Sequence, residues 1–473
     1  MAAERRTDSA KHVVIVGGGY VGMYTALRLQ KRLRGELRRG EVVITVIEPQ
    51  SYMTYQPFLP EAAAGNLEPR HVVAPLRRVL RRCRIVNGHV TRIETARRRI
   101  GFVPAGAEAA GVVHEMAYDH LVVAAGSVSR TLPIPGLAEC GIGFKTLEEA
   151  IYLRNHVIRQ LDVAASLTAG SADSPAGGSA TASATETAES IERARRRALT
   201  FVFVGAGFAG VEALAELEDM ARDACKWYPN LDADDMRWMM VEATDRILPE
   251  VGPEMGRWTA EALRRRGIEV RLDTLLKSAE DRHVVLSDGE EFDAGTLVWT
   301  AGVKPHPVVG EGDLPIDDKG RIKATAELTV EGLDGVYAAG DNARVPDLTH
   351  EGEYCAPNAQ HAVRQSKRLG DNIVADLRGK RRKPYKHAYV GSVAGLGLHK
   401  GVANVYGLKV RGLPAWLMHR TYHLSRMPTT NRKMRITADW TLALFFRREI
   451  VSLGELERPR HEFELAAGRR SDA

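Results

Sequence analysis

Two glycine-rich turns, each set between an apolar run and a helical pattern, constrain this chain more than any other feature. Both turns have the spacing G-x-G-x-x-G, and their glycines are Gly17, Gly19 and Gly22 in the first and Gly205, Gly207 and Gly210 in the second. In such a turn the first glycine permits the bend, the second lets a pyrophosphate approach the backbone, and the third lets the helix pack against the strand. The N–H groups and dipole at the helix start attract phosphate charge. The sequence therefore predicts two dinucleotide-binding units, an arrangement typical of electron transfer.

An acidic residue ends the apolar run that follows each turn. Glu48 closes the first of these runs and Glu242 closes the second, where a carboxylate can accept hydrogen bonds from a ribose. Both acids lie beyond the usual spacing of about 20 residues, and polar inserts at residues 34–41 and 226–235 account for the excess. For either turn alone, an ordinary βαβ unit is the competing interpretation.

Small residues close a later strand in each half of the chain. Gly126 ends the buried-type run in the first half, and Gly302 ends its counterpart in the second. A third such run leads into Gly340 and Asp341. Small residues at these positions let the backbone lie against a flat ligand.

Composition bounds the class of protein. The chain has 473 residues, which suggests two or three domains. Its hydrophobic content of 44% and charged content of 27% are ordinary for a soluble globular protein. The net charge of +6 permits attraction to an anionic lipid surface or to phosphate-bearing cofactors. No nucleic-acid motif is present, so no nucleic-acid partner is expected.

The cysteines and the first residues give no sign of export. The thiols of Cys83, Cys140, Cys225 and Cys355 are scattered without a C-x-x-C pair, and reduced thiols in a cytosolic setting are the default expectation. The first eleven residues lack the apolar core of a signal peptide. No run reaches the ~18 apolar residues of a membrane span.

Two further segments have a weaker interpretation. Residues 166–190 consist almost wholly of Ala, Ser, Thr and Gly, a composition that predicts a flexible, disordered surface insertion. His419 and His423 are four residues apart and share a helix face. Without further ligands they predict a surface or interfacial role, and no metal is expected.

The order of these motifs resembles that of flavoproteins with two dinucleotide-binding domains, and within them the type II NADH dehydrogenases, which are single-chain NADH:quinone oxidoreductases. The glycine motifs are common to the whole superfamily. The resemblance covers nearly the whole chain apart from the Ala/Ser-rich insertion. The pieces that carry it are residues 51–61 with 74–77, residues 205–212, residues 359–365 and residues 412–424.

The resemblance implies an α/β fold with two Rossmann-like domains. It places an FAD-binding domain at 11–130 and 303–385, an NADH-binding domain at 145–302, and a C-terminal membrane-association or dimerisation region at 386–473. The residues implied to contact FAD are Gly17, Gly19, Gly22, Glu48, Gly126, Gly340 and Asp341. Those implied to contact NADH are Gly205, Gly207, Gly210, Glu242 and Gly302.

The resemblance also implies roles near the reacting groups. Glu212 would position or polarise the stacked flavin and nicotinamide, although the helix dipole alone also favours a carboxylate there. Gln360 would line the acceptor side, with a packing amide as the alternative. Arg364 stands where the family commonly has Gln. Its fixed charge could suit a quinone carbonyl or an anionic semiquinone, or it could mean a different acceptor. Lys400 could approach an acceptor oxygen, but a solvated lysine is the simpler interpretation.

The tail suggests contact with a membrane surface. Residues 413–418 and 439–446 are short apolar-aromatic stretches flanked by Arg and Lys. Such segments are too short to span a bilayer but can lie in its headgroup layer. We therefore expect a peripheral protein at the cytoplasmic face of the cell membrane. A dimer interface or a core cover is the alternative, and the family suggests a homodimer.

The predicted function is an FAD-dependent enzyme that passes a hydride from NADH to flavin and two electrons on to a quinone. The charge of Glu242 favours NADH because it repels a 2′-phosphate, although Arg246 softens that preference. The alternatives are a sulfide:quinone oxidoreductase using Cys140 and Cys355, a flavin reductase for a soluble acceptor, and a flavin redox sensor with low turnover.

Overall fold

The computed structural model describes residues 10–107, 111–172, 182–387, 390–446, 448–454 and 459–466. The chain forms two compact units, each assembled from three segments. The first unit comprises Met1–Thr54, Val73–Arg130 and Val303–Tyr389. The second unit comprises Tyr55–Val72, Thr131–Gly302 and Val390–Ala473.

The strands are short, as expected for a chain that alternates strands with helices and turns. In chain order they are β1 Lys11–Val16, β2 Val42–Glu48, β3 Tyr52–Thr54, β4 Val73–Pro75, β5 Arg84–Glu94, β6 Arg99–Pro104, β7 His114–Ala117, β8 His120–Val123, β9 Ser127–Ser129, β10 Gly141–Ile142, β11 Thr200–Val204, β12 Arg237–Val241, β13 Glu269–Arg271, β14 Leu276–Ser278, β15 His283–Leu286, β16 Glu291–Asp293, β17 Thr296–Trp299, β18 Val303–Pro305, β19 Ile322–Lys323, β20 Val336–Ala338, β21 Ala343–Arg344, β22 Gly391–Gly395, β23 Gly401–Val405 and β24 Leu408–Arg411.

The helices follow the same order. They are α1 Tyr20–Arg32, α2 Arg34–Arg39, α3 Leu59–Ala63, α4 Leu76–Val79, α5 Leu137–Cys140, α6 Leu147–Ala172, α7 Ala182–Ala198, α8 Phe208–Ala224, α9 Pro253–Arg264, α10 Ala359–Leu377, α11 Leu413–Arg426, α12 Thr430–Leu442 and α13 His461–Ala466.

A seven-stranded sheet organises the first unit, in the order β20-β8-β1-β2-β5-β6-β7. The strands from β20 to β5 run parallel, and β6 and β7 are antiparallel. The last four residues of β1 are buried, which explains their unbroken run of Val and Ile. Helices α1 and α10 pack against each other in this unit. The first glycine turn follows the carboxyl end of β1, the edge at which such sheets bind ligands.

A five-stranded parallel sheet organises the second unit, in the order β10-β17-β11-β12-β13. All residues of β11 are buried, and its Phe201 stacks on Trp238 of β12 with ring centroids 4.2 Å apart. Antiparallel sheets of β14–β16 and of β22–β24 complete the unit. The second glycine turn follows β11 as the first follows β1, so the internal duplication predicted from the sequence is present in the fold.

The structure shortens the insertion that the sequence predicts to be flexible. Helix α6 continues to Ala172, and α7 begins at Ala182, so both ends of the 166–190 segment are helical. The reason is the alanine content, since alanine is the strongest helix former although it buries little surface. Residues 173–181 lie outside the described residues.

The C-terminal region, predicted as 386–473, falls almost wholly within one of the two compact units. Val390–Ala473 belongs to the second unit, as does the short segment Tyr55–Val72. Helix α11 packs on β22 and β23, and its Trp416 is buried. Among the described residues, no helix combines the length and the apolar character that a membrane crossing requires.

Candidate functional site

The first glycine turn forms a backbone cradle at the start of α1. Gly17 has a φ of 98°, and a Cβ on it would lie 2.3 Å from the carbonyl oxygen of Ala124. A Cβ on Gly22 would lie 1.8 Å from the carbonyl oxygen of Gly17. A Cβ on Gly19 would have no atom within 4 Å. The fold therefore requires Gly17 and Gly22, whereas Gly19 faces open space that a phosphate can fill.

Glu48 closes this cradle from the end of β2. Its Oε2 accepts the N–H of Gly18, and its Oε1 accepts the N–H of Gln50 at 3.2 Å. Burial raises the pKa of the Glu48 carboxyl, and the two N–H donors counteract part of that rise. The carboxylate is thus fixed beside the turn, the position that its predicted ribose contact needs.

Gly340 and Asp341, both predicted to contact FAD, lie in a loop that is held on two sides. The N–H of Gly340 donates to Oε1 of Gln365 at 2.7 Å, and Oγ of Ser127 donates to Oδ2 of Asp341 at 2.7 Å. Gln365 is buried on α10, one position beyond the predicted Arg364. The sequence analysis identified this helix but missed the contact of Gln365 with the Gly340 loop. That contact can be recognised only when the direction of the Gln365 side chain on the helix is known.

Asn342 is a second residue that the sequence analysis missed. Its side chain is fully buried. Its Oδ1 accepts the N–H of Gly126 at 3.0 Å, and its Nδ2 donates to the carbonyl of Val123 at 3.0 Å. The amide therefore ties the glycine at the end of β8 to the loop after β20. An amide next to a Gly-Asp pair is the signal that would have identified it.

The second glycine turn repeats the first. Gly205 has a φ of 102°, and a Cβ on Gly210 would lie 2.0 Å from the carbonyl oxygen of Gly205 and 2.5 Å from Oγ1 of Thr300. Gly207 again has no atom within 4 Å of a Cβ position. Oγ1 of Thr300 donates to the carbonyl of Gly205 at 2.8 Å, a contact that sequence reasoning missed. The nearby Gly302 has a φ of 89°, which only a glycine adopts without strain.

Glu242 occupies the position of Glu48 in this second cradle. Its Oε2 accepts the N–H of Ala206 at 2.7 Å, and its Oε1 accepts the N–H of Thr244 at 3.0 Å. In both cradles, therefore, the acid binds the middle residue of the turn. Arg246 is exposed, and its Nε lies 3.8 Å from Oδ1 of Asp245.

Glu212 lies on α8, in a buried cluster of acids and histidines within the second unit. Its Oε1 accepts the N–H of Gly395 at 2.8 Å and lies 3.1 Å from Nε2 of His419. Burial lowers the pKa of His419, but the neighbouring carboxylates, chiefly Glu212, more than compensate and raise it overall. Of the two roles predicted for His419, surface or interfacial, the surface one is wrong because α11 turns this face inward, where the side chain is 4% exposed. The interfacial role stays a prediction.

His423 extends the cluster by one turn of α11. Its ring lies 4.6 Å from that of His419, and its Nδ1 is 3.2 Å from Oη of Tyr55. Burial and the charge of His419 lower the pKa of His423 well below its ordinary value. The pKa values of the two neighbouring histidines are therefore shifted in opposite directions, upward for His419 and downward for His423.

A buried ion pair anchors the C-terminal helices to α3. Nη2 of Arg420 lies 2.8 Å from Oε2 of Glu61, which also accepts the indole N–H of Trp440 at 2.8 Å. The guanidinium stacks over Trp416 at 4.0 Å and over Trp440 at 4.8 Å. The charge pair is thus enclosed by rings and hydrogen bonds, which a buried pair needs to offset desolvation.

Glu216 is the third carboxyl of this cluster. Nδ2 of Asn66 donates to its Oε2 at 3.0 Å. Burial, reinforced by the negative charge of Glu61, raises the pKa of Glu216 to about 7. The side chain therefore exchanges its proton near neutral pH.

The predicted acceptor residues on α10 lie beside an aromatic group in the first unit. Nη1 of Arg364 is 3.1 Å from Nδ1 of His387, and Oη of Tyr385 lies 3.0 Å from Nδ1 of His361 and 3.1 Å from Nδ1 of His387. Burial, with the charges of His387 and Arg364, lowers the pKa of His361 to about 4. Gln360 is half-buried in the first turn of the same helix.

Lys400 lies in the second unit, in the turn between β22 and β23. It is exposed, and its Nζ is 3.2 Å from Oδ1 of Asp219. The same carboxylate oxygen lies 3.0 Å from Nη2 of Arg266. This surface ion pair agrees with the simpler interpretation of Lys400, and its predicted role near an acceptor oxygen stays a prediction.

Comparison with known proteins identifies the family to which the chain is similar. The model of the pyridine nucleotide-disulphide oxidoreductase family matches residues 11–362. The chain is 26% identical over 453 residues to the type II NADH:quinone oxidoreductase of Mycobacterium tuberculosis, an alignment that covers 92% of this chain and 88% of that protein. These matches confirm the resemblance that the motifs indicate.

Solved structures share the fold. The structure of NDH2 from Plasmodium falciparum in complex with NADH has a TM-score of 0.79 at 16% identity, covering 93% of this chain and 99% of that chain. The sulfide:quinone oxidoreductase of Aquifex aeolicus has a TM-score of 0.64 at 16% identity, covering 93% of this chain and 96% of that chain. The predicted α/β class with two dinucleotide-binding units is confirmed.

Gly22 and Gly19 of the first cradle predict different effects of an alanine substitution. In Gly22→Ala the added methyl collides with the carbonyl of Gly17, so we expect a loss of stability of about 1–3 kcal/mol and a lower melting temperature. In Gly19→Ala the methyl enters open space, so stability should change by less than about 0.5 kcal/mol while flavin retention falls. Calorimetry and the flavin-to-protein ratio measure both. Equal melting temperatures of Gly22→Ala and Gly19→Ala would contradict the distinction between a packed and an open glycine.

Glu216 predicts a pH-dependent stability. Its folded-state pKa of about 7 lies above the ordinary value of 4.5, so its stabilising contribution is complete below pH 4.5 and is lost as pH rises through 7. Gln at this position still accepts from Asn66 but does not ionise. Between pH 5 and pH 8 the native chain should lose about 3 kcal/mol of unfolding free energy through ionisation of Glu216. The Glu216→Gln variant should not lose this amount. The exposed Glu261→Gln variant controls for the change in net charge. If the difference in unfolding free energy between Glu216→Gln and the native chain does not change with pH, the prediction is refuted.

Proposed function

We propose that this chain, which belongs to the pyridine nucleotide-disulphide oxidoreductase family, is an FAD-dependent enzyme that oxidises NADH and reduces a quinone. The observation that carries the proposal is the pair of glycine cradles, one in each unit, each closed by a carboxylate on the middle N–H of the turn. The similarity of 92% of the chain to a type II NADH:quinone oxidoreductase supports the acceptor class.

The first cradle suits FAD. Open space at Gly19 at the start of α1 suits the pyrophosphate, and Glu48 suits a ribose hydroxyl. The loop of Gly340 and Asp341, held in place by Gln365, suits the ribityl chain. When bound, FAD supplies the redox chemistry, taking a hydride from NADH and releasing two electrons to the acceptor.

The second cradle suits NADH. Gly207 leaves the same opening at the start of α8, and Glu242 presents a fixed carboxylate beside it. A fixed negative charge at this position disfavours a 2′-phosphate, so NADH is preferred over NADPH. Arg246 is exposed and near Asp245, which limits its ability to offset that charge.

Arg364 and Gln360 are the residues of α10 that we assign to the acceptor side. A guanidinium presents a planar set of N–H donors with a permanent charge, which suits a carbonyl oxygen that gains electron density on reduction. The contact with His387 limits the orientations that Arg364 can adopt. Glu212 is held in one orientation by Gly395 and His419, which suits its predicted positioning role.

We also propose that the protein attaches peripherally to the cytoplasmic face of the cell membrane as a homodimer. The end of α12 and the residues after it present exposed apolar side chains in sequence. They are Leu442, Leu444, Phe445 and Phe446. Phe445 is 77% exposed, which is unusual for so large an apolar side chain in water. Attachment there would place the enzyme where a quinone dissolves, and the dimer is suggested by family resemblance.

The sulfide:quinone alternative is disfavoured by the state of the thiols. Such chemistry needs a thiolate as nucleophile. Burial raises the pKa of Cys140, and burial raises that of Cys355 to about 11. Each sulfur also contacts a backbone carbonyl of its own unit, at 3.5 Å from Ala279 and 3.8 Å from Pro346. Both thiols are therefore weak nucleophiles at neutral pH.

The cradle assignment predicts how nucleotide preference responds to charge. The native enzyme should be yellow, lose that colour with NADH and recover it with a short-chain quinone. Glu242→Gln keeps an oxygen for Ala206 but removes the charge, so the NADPH/NADH ratio of kcat/KM should rise roughly tenfold.

Glu48→Gln is the matched control in the other cradle. It should weaken flavin retention and leave the nucleotide ratio unchanged. If Glu48→Gln alters the ratio and Glu242→Gln does not, the two cradles are assigned the wrong way round. If NADH removes the colour but no quinone restores it, the acceptor assignment fails.

Membrane attachment predicts a loss of vesicle binding when the apolar end of α12 is made polar. We expect the double variant Phe445→Ser, Phe446→Ser to sediment less with phospholipid vesicles than the native enzyme, while oxidising NADH with a water-soluble quinone at the native rate. The exposed Tyr406→Ser, from the β23–β24 turn, is the matched control. Equal sedimentation of the double variant and the native enzyme would rule out this surface.

A further inference from the structure

A cavity of about 440 Å³ lies in the second unit beside the exposed end of the C-terminal helices. Residues that follow or end α8 line one side, and residues that follow α12 line the other. The lining residues are Ala224, Trp227, Tyr228, Arg448 and Ile450. Its volume is within the range of small-molecule sites, and neither of the two cradles contributes to it.

Arg448 gives this cavity its chemistry. Its side chain is only 7% exposed, and its Nη1 has no hydrogen-bond partner within the described part of the chain. The nearest ion-pair contact, Oδ2 of Asp223, is 3.9 Å from its Nε. The other oxygen of Asp223 lies 2.6 Å from Nζ of Lys226. Since a guanidinium does not lose its proton, a buried N–H of this kind needs an acceptor.

The other polar groups near Arg448 that the structure describes do not supply an acceptor for its Nη1. The hydroxyl of Tyr228, a lining residue, donates its proton to Oδ1 of Asp162 at 2.6 Å and not to a group in the cavity. The charge of Arg448 lowers the pKa of Glu216, yet burial keeps that pKa at about 7. Glu216 is thus partly protonated at neutral pH and does not fully neutralise the guanidinium.

Exposed aromatic side chains occur on the cavity lining and in the segment that leads to Arg448. Phe445 and Phe446 precede Arg448 by three and two residues and are exposed to 77% and 67%. Trp227, which lines the cavity, is itself 67% exposed. Exposed aromatic side chains next to a cation are typical of protein surfaces at the level of lipid headgroups.

We propose that this cavity binds the phosphate of a phospholipid headgroup. Arg448 donates from its free Nη1 to a phosphate oxygen, the acceptor that a guanidinium pairs with best. Trp227 and Tyr228 cover the headgroup, while Phe445 and Phe446 enter the acyl layer. The proposal rests on the membrane attachment proposed above and adds a specific lipid contact to it.

The test uses the full-length, flavin-loaded enzyme and dihexanoyl phosphatidylglycerol kept below its micelle concentration, so that a headgroup is offered without a membrane. Isothermal titration measures binding. We expect Arg448→Gln to weaken it at least ~10-fold, and Trp227→Ala, at an exposed position that does not endanger folding, to weaken it as well. Arg257→Gln, an exposed arginine of the same unit, should bind as the native enzyme does. Native affinity in both cavity variants, or no binding by the native enzyme, overturns the proposal.

Two further experiments distinguish a lipid phosphate from free inorganic phosphate, and the headgroup site from membrane attachment. Inorganic phosphate at equal concentration should not displace the lipid, and equal binding of inorganic phosphate alone would overturn the commitment to a lipid. Vesicle sedimentation of Arg448→Gln should persist through Phe445 and Phe446, which supports a site distinct from the apolar anchor. If the native enzyme binds the monomeric lipid but no vesicles, the attachment proposal fails while the headgroup site is supported.

Discussion

The close approach of two glycines determines the geometry of each unit. In the first, a Cβ on Gly22 would lie 1.8 Å from the carbonyl oxygen of Gly17, and in the second a Cβ on Gly210 would lie 2.0 Å from that of Gly205. Only hydrogen is small enough at these positions, so the helix can start directly above the end of the strand. That position is what directs the N–H groups of the first helical turn toward a common point.

The acids of the cradles have a structural role that does not depend on the ligand contacts proposed for them. Glu48 and Glu242 each bind an N–H of the turn, so the conformation of the turn is set before any nucleotide arrives. Preorganisation of this kind lowers the entropy lost on binding. The charge that is expected to distinguish the two pyridine nucleotides is therefore part of the fold, and removing it affects both shape and selectivity.

The sequence predicted the parts of the molecule that depend on local patterns. Strand β2 ends at Glu48 and helix α1 begins at Tyr20, as the apolar run and the glycine spacing indicate. The roles of Gln365 and Asn342 were missed because they depend on which atoms the fold brings together across more than twenty residues.

The same limitation explains the error on His419. A helix with His and Arg along it appears solvated in sequence, since the partners that bury these charges come from elsewhere in the chain. Glu61 and Glu212 are more than 200 residues away from α11, and without them a buried imidazole or guanidinium would be too costly. Long-range charge compensation leaves no periodic signal in the sequence.

Gln365 and Arg364 are consecutive residues of α10. Helix α10 therefore connects the loop of Gly340 with the group around His387. Gln365 holds the loop of Gly340, whereas Arg364 contacts His387 on another face. A helix moves as a rigid rod, so a substitution that tilts α10 shifts the loop of Gly340 together with the contact between Arg364 and His387. A change on one face of α10 is therefore compatible with the fold only as a side-chain exchange that leaves the helix axis in place.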